Sequence, residues 1–229
     1  MTSTPRSPHL PLPAAALLLA VLLTACGNQP AVPDWQANAH GAAERATAAD
    51  LAGNDRVARQ EWARARAEVA RTGRPELLAR VELMRCAVRL ASLEGGDCPA
   101  FAPLRQDATA QEQAYADYLG GRLAPEQAAL LPAAQRAAAT GAVAASAMAE
   151  MADPLSRLVA AGAAVQAGRA TPAVLALASD TAAAQGWSRP LRAWLRLRAE
   201  QARAAGDAPL AAQLERQIAI VETAGQPAR

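Results

Sequence analysis

The chain of 229 residues has no lysine, two histidines and seven aromatic side chains. Each scarcity removes a class of explanation. With one phenylalanine, Phe101, and no window that alternates cleanly between apolar and polar, there is too little strand-forming material for a sheet protein. His40, the only histidine beyond the amino-terminal segment, sits alone near the tether, so no Ser-His-Asp or Cys-His constellation stands out. No HExxH, glycine-rich phosphate loop or Cys-x-x-Cys is present. Neither a cofactor nor a metal is expected. Charge of one sign is also lacking. The formal charge is +2, which gives no bulk attraction for nucleic acid. Every basic side chain is arginine, as a GC-rich coding bias that also enriches alanine would produce. Any anion recognition therefore falls to guanidinium forks and not to ammonium point charges.

What is present begins with an address. Residues 1–9 are polar and carry Arg6. Residues 10–23 form an apolar Ala/Leu-rich run of 14 residues, too short to span a membrane stably but right for the core of a secretory signal. The run ends in Leu23-Thr24-Ala25-Cys26-Gly27. Leu-Thr-Ala-Cys resembles the bacterial lipobox, in which a leucine three before the cysteine and small residues between them suit the lipoprotein signal peptidase. The resemblance implies cleavage before Cys26 and a thioether-linked diacylglycerol on its sulfur, usually with a third, palmitate-type chain on its amine. Removing 25 residues leaves 204, enough for one domain with its own core. One acyl chain binds a membrane marginally, because each buried methylene contributes about 0.8 kcal/mol; two or three anchor it durably. Gly27, where an aspartate would favour retention on the outer face of the inner membrane, implies export to the outer membrane. Residues 26–33 read as a lipidated tether, 34–224 as the folded domain and 225–229 as a disordered tail.

Cys86 and Cys98 are the thiols that remain. In an oxidising compartment such pairs tend to form disulfides. Metal binding would need more ligands, and redox catalysis a different spacing. A bridge would staple a predicted helix to the loop behind Gly95-Gly96-Asp97. Closing a loop of about 13 residues contributes roughly 3 kcal/mol in the chain-entropy model.

The rest is punctuated as helices. Starts fall at Asp55, Pro75, Thr109, Pro125, Pro154, Pro172, Ser188 and Asp207, with a capping side chain or a first-turn proline at each. Thr109 and Glu112 make a capping box. Stops fall at Gly53, Gly73, Gly95, Gly120, Gly168, Gly186 and Gly206. Over 55–72, Ala58, Trp62, Ala65 and Val69 share one stripe, opposite Arg64 and Glu68 at i,i+4 spacing. Over 75–93, Leu77, Val81, Met84, Val88 and Ala91 make one stripe and Leu83, Cys86, Leu90 and Leu93 another, which predicts a helix sandwiched between neighbours. The stretch 133–152 reads as one long helix or as two with a joint at Thr140-Gly141.

Glycine-to-glycine steps of 18–20 residues give a helix–turn–helix period of about 38, close to the 34 of the tetratricopeptide repeat. Gly53, Ala58, Trp62 and Ala65 resemble that repeat's Gly, Ala, large apolar and Ala positions, and Ala205-Gly206-Asp207 with Ala211 and Leu214 resembles the same joint. The pattern departs from the repeat at its first Trp and Tyr positions. The fold class expected is all-α: a right-handed, tetratricopeptide-like array of paired antiparallel helices, or an irregular helical bundle. Together with the lipobox, this is similar to proteobacterial outer-membrane lipoproteins.

Candidate binding residues lie in two stretches. In the segment from Gly186 to Arg196, Trp187 and Trp194 are costly in so aromatic-poor a chain. Leu191, Leu195 and Ala199 are expected to face the core, while Arg189, Arg192, Arg196 and Arg203 line another face able to clamp a carboxylate, a phosphate headgroup or an acidic segment. The plainer reading is packing beneath a solvated basic face. Tyr115 and Tyr118, before Gly120-Gly121, either line a groove or fill a core. Glu61, Glu82, Glu94 and Glu150 read as solvated faces or ion pairs, and no catalytic pair is recognisable among them. The expectation is a non-enzymatic lipoprotein on the outer membrane, facing the periplasm, that serves as a protein- or peptide-binding scaffold or pilotin-type accessory factor. Its partners would be the membrane, through the anchor, and another envelope protein. Alternatives are an accessory of a peptidoglycan enzyme and a lipid or lipopolysaccharide handler.

Overall fold

The computed structural model describes residues 32–139 and 145–223. The signal, Cys26 and most of the tether lie outside the described residues, as do the Thr140-Gly141 joint and the tail 225–229. All regular structure among the described residues is helical. Ten α-helices follow in order: α1 Asp34–Leu51, α2 Asp55–Ala70, α3 Pro75–Leu90, α4 Ala110–Leu119, α5 Ala133–Ala139, α6 Ala145–Ala149, α7 Pro154–Gln166, α8 Pro172–Ala184, α9 Ser188–Ala204 and α10 Ala208–Thr223. Two six-residue 3₁₀ segments, Ala102–Asp107 and Pro125–Leu130, flank α4. No described helix is long and apolar enough to cross a membrane.

The first hairpin shows why alanine suits this fold. In α1 the buried residues include Ala39, Ala42, Ala43, Ala46 and Ala49. They form a seam of small side chains against which α2 lays Ala58, Trp62, Ala65 and Val69, the four residues its stripe predicts. Small residues let the axes approach, and Trp62 fills what they leave. Its indole N–H is satisfied in the dry seam by the buried Asp50 carboxylate at 2.6 Å. Between the helices Gly53 adopts a φ of +81°, a left-handed turn that glycine alone enters without steric cost. Asn54, one residue before the expected start, then caps α2 by accepting from the Val57 N–H. Glu68 pairs with Arg71 at 3.0 Å and not with Arg64.

Helix α3 is sandwiched, as its two stripes require. Val81 and Val88 join the α1–α2 cluster, while Leu83, Ala87 and Leu90 enter the main core. Met84 departs from the stripe and is 43% exposed. The helix ends earlier than Gly95 suggests, because Leu93 itself takes a left-handed φ of +59°. Cys86 and Cys98 are joined as a disulfide with 5.7 Å between their Cα atoms, tying the following loop to α3. At the end of α4 the left-handed residue is Gly121 and not Gly120. A Cβ at Gly121 would stand 2.6 Å from the Ala167 backbone nitrogen.

Helix α7 is the axis of the unit. Its residues Leu158, Val159, Ala160, Ala161, Gly162, Ala163 and Ala164 are all buried, as expected of a helix apolar on every side. It packs against α3, α4, α5, α6 and α8. The last three helices pack as successive neighbours; α8 buries Val174, Leu175, Ala178 and Ala182 in the main core, while Leu195, Ala199 and Ala202 of α9 and Ala211 and Leu214 of α10 form a small core of their own. Helix α9 also reaches back to the beginning of the chain. The fully buried Trp194 donates its indole N–H to the Ala91 carbonyl at 2.9 Å. Ser188 donates to the Ala52 carbonyl at 3.0 Å. The chain is thus an all-α array of packed neighbouring helices, regular at both ends and joined through α3, α7 and α9.

Candidate functional site

The regular helix spacing breaks between α3 and α7, and an open groove of about 760 Å³ lies there. Helix α3 contributes Leu83, Met84 and Val88 to one wall, and α7 contributes Leu155 and Val159 to the other. Tyr115 of α4 and the turn residues Leu130, Leu131 and Pro132 complete an apolar lining. The polar groups stand at defined points. Arg80 holds Glu112 at 2.7 Å, while the second oxygen of Glu112 closes the capping box by accepting from the Thr109 N–H at 2.8 Å. Burial pushes this carboxyl's pKa up, but the Arg80 fork and the Thr109 bonds outweigh it, and the net displacement is below the ordinary glutamate value. Asp153 caps α7, accepting from the Ser156 N–H at 2.8 Å and from its hydroxyl at 2.6 Å. Gln135 is buried and doubly held. It accepts from the Tyr118 hydroxyl at 2.7 Å and donates to the Ser156 carbonyl at 3.0 Å. Arg136 donates to the Leu131 carbonyl at 2.8 Å, fixing the turn that forms the rim.

The tyrosines divide the two roles the sequence left open. Their rings stack at 6.1 Å. Tyr118 is buried in the main core. Tyr115 is half-buried and lines the groove. Burial raises both phenol pKa values, that of Tyr115 to about 12. Tyr115 makes no hydrogen bond among the described residues, so a neutral hydroxyl is left to meet an incoming group.

The Arg/Trp stretch is not gathered into one site. Trp194 is a core residue, and Trp187 packs between the first and main clusters. Arg189 is only 15% exposed in its side chain and bridges Asp55 to Glu94, the latter at 3.1 Å. Arg196 pairs with Glu222, and Arg203 with Glu215 at 2.9 Å. Arg192 bonds the Ser188 carbonyl and lies against Gly53. A cavity of about 390 Å³ does open beside α9, between Leu191, Leu195 and Leu214, but the arginine lining it is Arg198, outside the predicted stripe.

His40 lies near Glu44, 3.2 Å away, with both side chains mostly exposed. No group of three or more metal-ligating side chains occurs among the described residues. The groove residues that sequence reasoning missed are Arg80, Leu131, Gln135 and Leu155. Met84 was assigned to a core stripe. The available signals were the unusual density of breaks between 95 and 154 and an apolar Leu-Leu-Pro at 130–132. Neither identifies a groove until α3 and α7 are known to be neighbours. No family model, no curated protein and no solved structure matches the chain.

Proposed function

We propose that this chain is a lipid-anchored envelope protein whose helical unit captures an apolar segment of another envelope protein in the groove between α3 and α7. The observation that carries the reading is the groove itself. It is open, lined chiefly by aliphatic side chains and Tyr115, about 760 Å³ in volume, and edged by the Arg80–Glu112 ion pair and by side chains bonded to backbone groups. That is the form in which an amphipathic helix or extended peptide is received, with apolar anchors in the trough and polar groups at the edge. Each large aliphatic side chain seated there gains about 1.5–3 kcal/mol from leaving water. The exposed Met84 on the lip suits a partner-facing surface, since its flexible thioether adapts to the incoming side chain. A binding role is favoured over hydrolysis because both carboxylates in the groove are committed, Glu112 to Arg80 and Thr109, and Asp153 to the cap of α7. The setting follows from Leu23-Thr24-Ala25-Cys26, which implies acylation of Cys26 and, with Gly27, placement on the outer membrane facing the periplasm.

Two coupled measurements test this. A photo-crosslinking side chain at position 84 is expected to capture one discrete envelope protein in cells, while the same side chain at position 220, which is 67% exposed on α10, does not. Replacing Cys26 by serine should abolish fatty acylation in the intact mass and release the protein from envelopes. Identical adduct patterns from positions 84 and 220 would sink the groove, and an unacylated wild-type chain would sink the anchor.

A further inference from the structure

A further cavity, of about 370 Å³, is bounded almost wholly by charged side chains. It lies where the end of α1, the first half of α2, the second half of α3 and the first turn of α9 meet. Arg59, Arg85, Arg89 and Arg189 line it together with Asp50, Asp55 and Glu94, so four positive charges face three negative ones. The carboxylates are engaged. Arg189 bonds Asp55 and Glu94, Arg89 stands 3.7 Å from Glu94, and Asp50 accepts from the Trp62 indole. Two guanidinium groups are not bonded to these carboxylates, although Arg59, after Arg189, helps to hold the Asp55 carboxyl below its ordinary value. Among the described residues Arg59 and Arg85 make no ion pair or hydrogen bond. The Arg189 Nε–H, in addition, is buried without an acceptor.

We propose that this cavity is a binding site for a phosphate group. Its surplus is in donors and in positive charge, and both call for an oxyanion. The donors come from α2, α3 and α9, hence from three directions. A planar carboxylate is satisfied by one or two forks in its own plane, whereas the oxygens of a tetrahedral phosphate accept from several sides. The buried Arg189 Nε–H, screened less than an exposed arginine, strengthens its part of the interaction. The volume exceeds that of the bare ion, so the group is either free phosphate or phosphate esterified to a small polar moiety such as a lipid headgroup. The inference does not rest on the groove between α3 and α7.

The test uses the full acylated chain in detergent, titrated calorimetrically with inorganic phosphate and separately with glycerol 3-phosphate, the simplest headgroup ester. Saturable binding of either supports the site, and the tighter of the two identifies its source. The double variant Arg59→Ala/Arg85→Ala is expected to weaken binding roughly tenfold or more, because each lost fork removes charge-assisted bonds. Arg64→Ala, an exposed arginine of α2 outside the cavity, should leave it unchanged. Arg85→Lys, which keeps the charge but not the fork, should fall between. If the double variant does not fold, the exposed Arg59→Ala alone carries the comparison. Absence of binding by both probes, or equal binding by wild type and the Arg59 variants, overturns the proposal.

Discussion

The replacement Gly162→Ala isolates the contact on which the groove's width depends. In a helix interior, alanine in place of glycine is ordinarily favourable by about 1 kcal/mol, because it restricts the unfolded chain. At position 162 the added Cβ would stand 2.7 Å from the Leu90 carbonyl oxygen and 2.8 Å from Leu90 Cγ. Ordinary carbon contacts need roughly 3.5–4.0 Å, so α3 and α7 must separate locally by most of an ångström. The obstruction is backbone and cannot rotate away. The same carbonyl accepts from the Leu93 N–H at 2.8 Å, so displacing it also disturbs the left-handed turn at Leu93. Overpacking costs about 1–3 kcal/mol, and a backbone obstacle belongs in the upper part of that range. After the helix-propensity gain the expected net loss is about 1–2 kcal/mol.

Gly41→Ala in α1 is the matched control. Its Cβ would meet only the tip of the Arg45 side chain, at 3.3 Å, which can swing aside. That variant should gain up to about 1 kcal/mol. Urea denaturation followed by circular dichroism measures both through the shift in midpoint at constant slope. A Gly162→Ala protein as stable as wild type, or more so, would refute the account of α3–α7 packing. It would equally remove the reason for treating those two helices as rigid walls of the groove.

Trp194→Phe keeps most of the buried apolar surface but leaves the Ala91 carbonyl without its donor. It is expected to cost about 1–3 kcal/mol, and Trp194→Ala about 3–5 kcal/mol; near-neutral midpoints for both would mean that α9 is not held to α3 as described. Tyrosinate absorbance should emerge in the folded protein only at about pH 12 and above. The unfolded chain begins to ionise its phenols near pH 10, so stability is intact below that value and declines as pH rises through the interval. A folded protein titrating either tyrosine near pH 10 would contradict the burial of the pair.

The pattern of what the sequence discloses is physical. The stripe Ala58, Trp62, Ala65, Val69 is buried residue for residue, because helical periodicity is a local property and this helix has one dry face. The double stripe of α3 and the Thr109–Glu112 capping box were legible for the same reason, and the spacing of Cys86 and Cys98 suited the bridge they form. The choice between clamp and solvated face stayed open for Arg189 because its partners, Asp55 and Glu94, are 134 and 95 residues away. Nothing near Arg189 in sequence announces them. Only Tyr115 of the groove residues was singled out for its role there, since Met84, Leu131 and Leu155 come from three separate elements. Met84 in particular looks like a core residue until the neighbour that would cover it proves to be missing among the described residues.

Composition and site are connected through that missing neighbour. Alanine-rich helices approach closely, and a continuous run of them would leave little room between adjacent axes. At both ends of the chain the turns recur at intervals of 18–20 residues, and there the seams close around Ala39–Ala49 and around Ala199, Ala202 and Ala211. Between 95 and 154 the described residues form two 3₁₀ segments, the ten-residue α4 and the helices α5 and α6. Among the described residues these elements do not cover the faces that α3 and α7 present, so two well-packed helices stand on either side of an incompletely filled trough. Arg136, Gln135 and Asp153 then fix its edge with bonds to backbone groups. On this argument the groove is a consequence of interrupting a regular array.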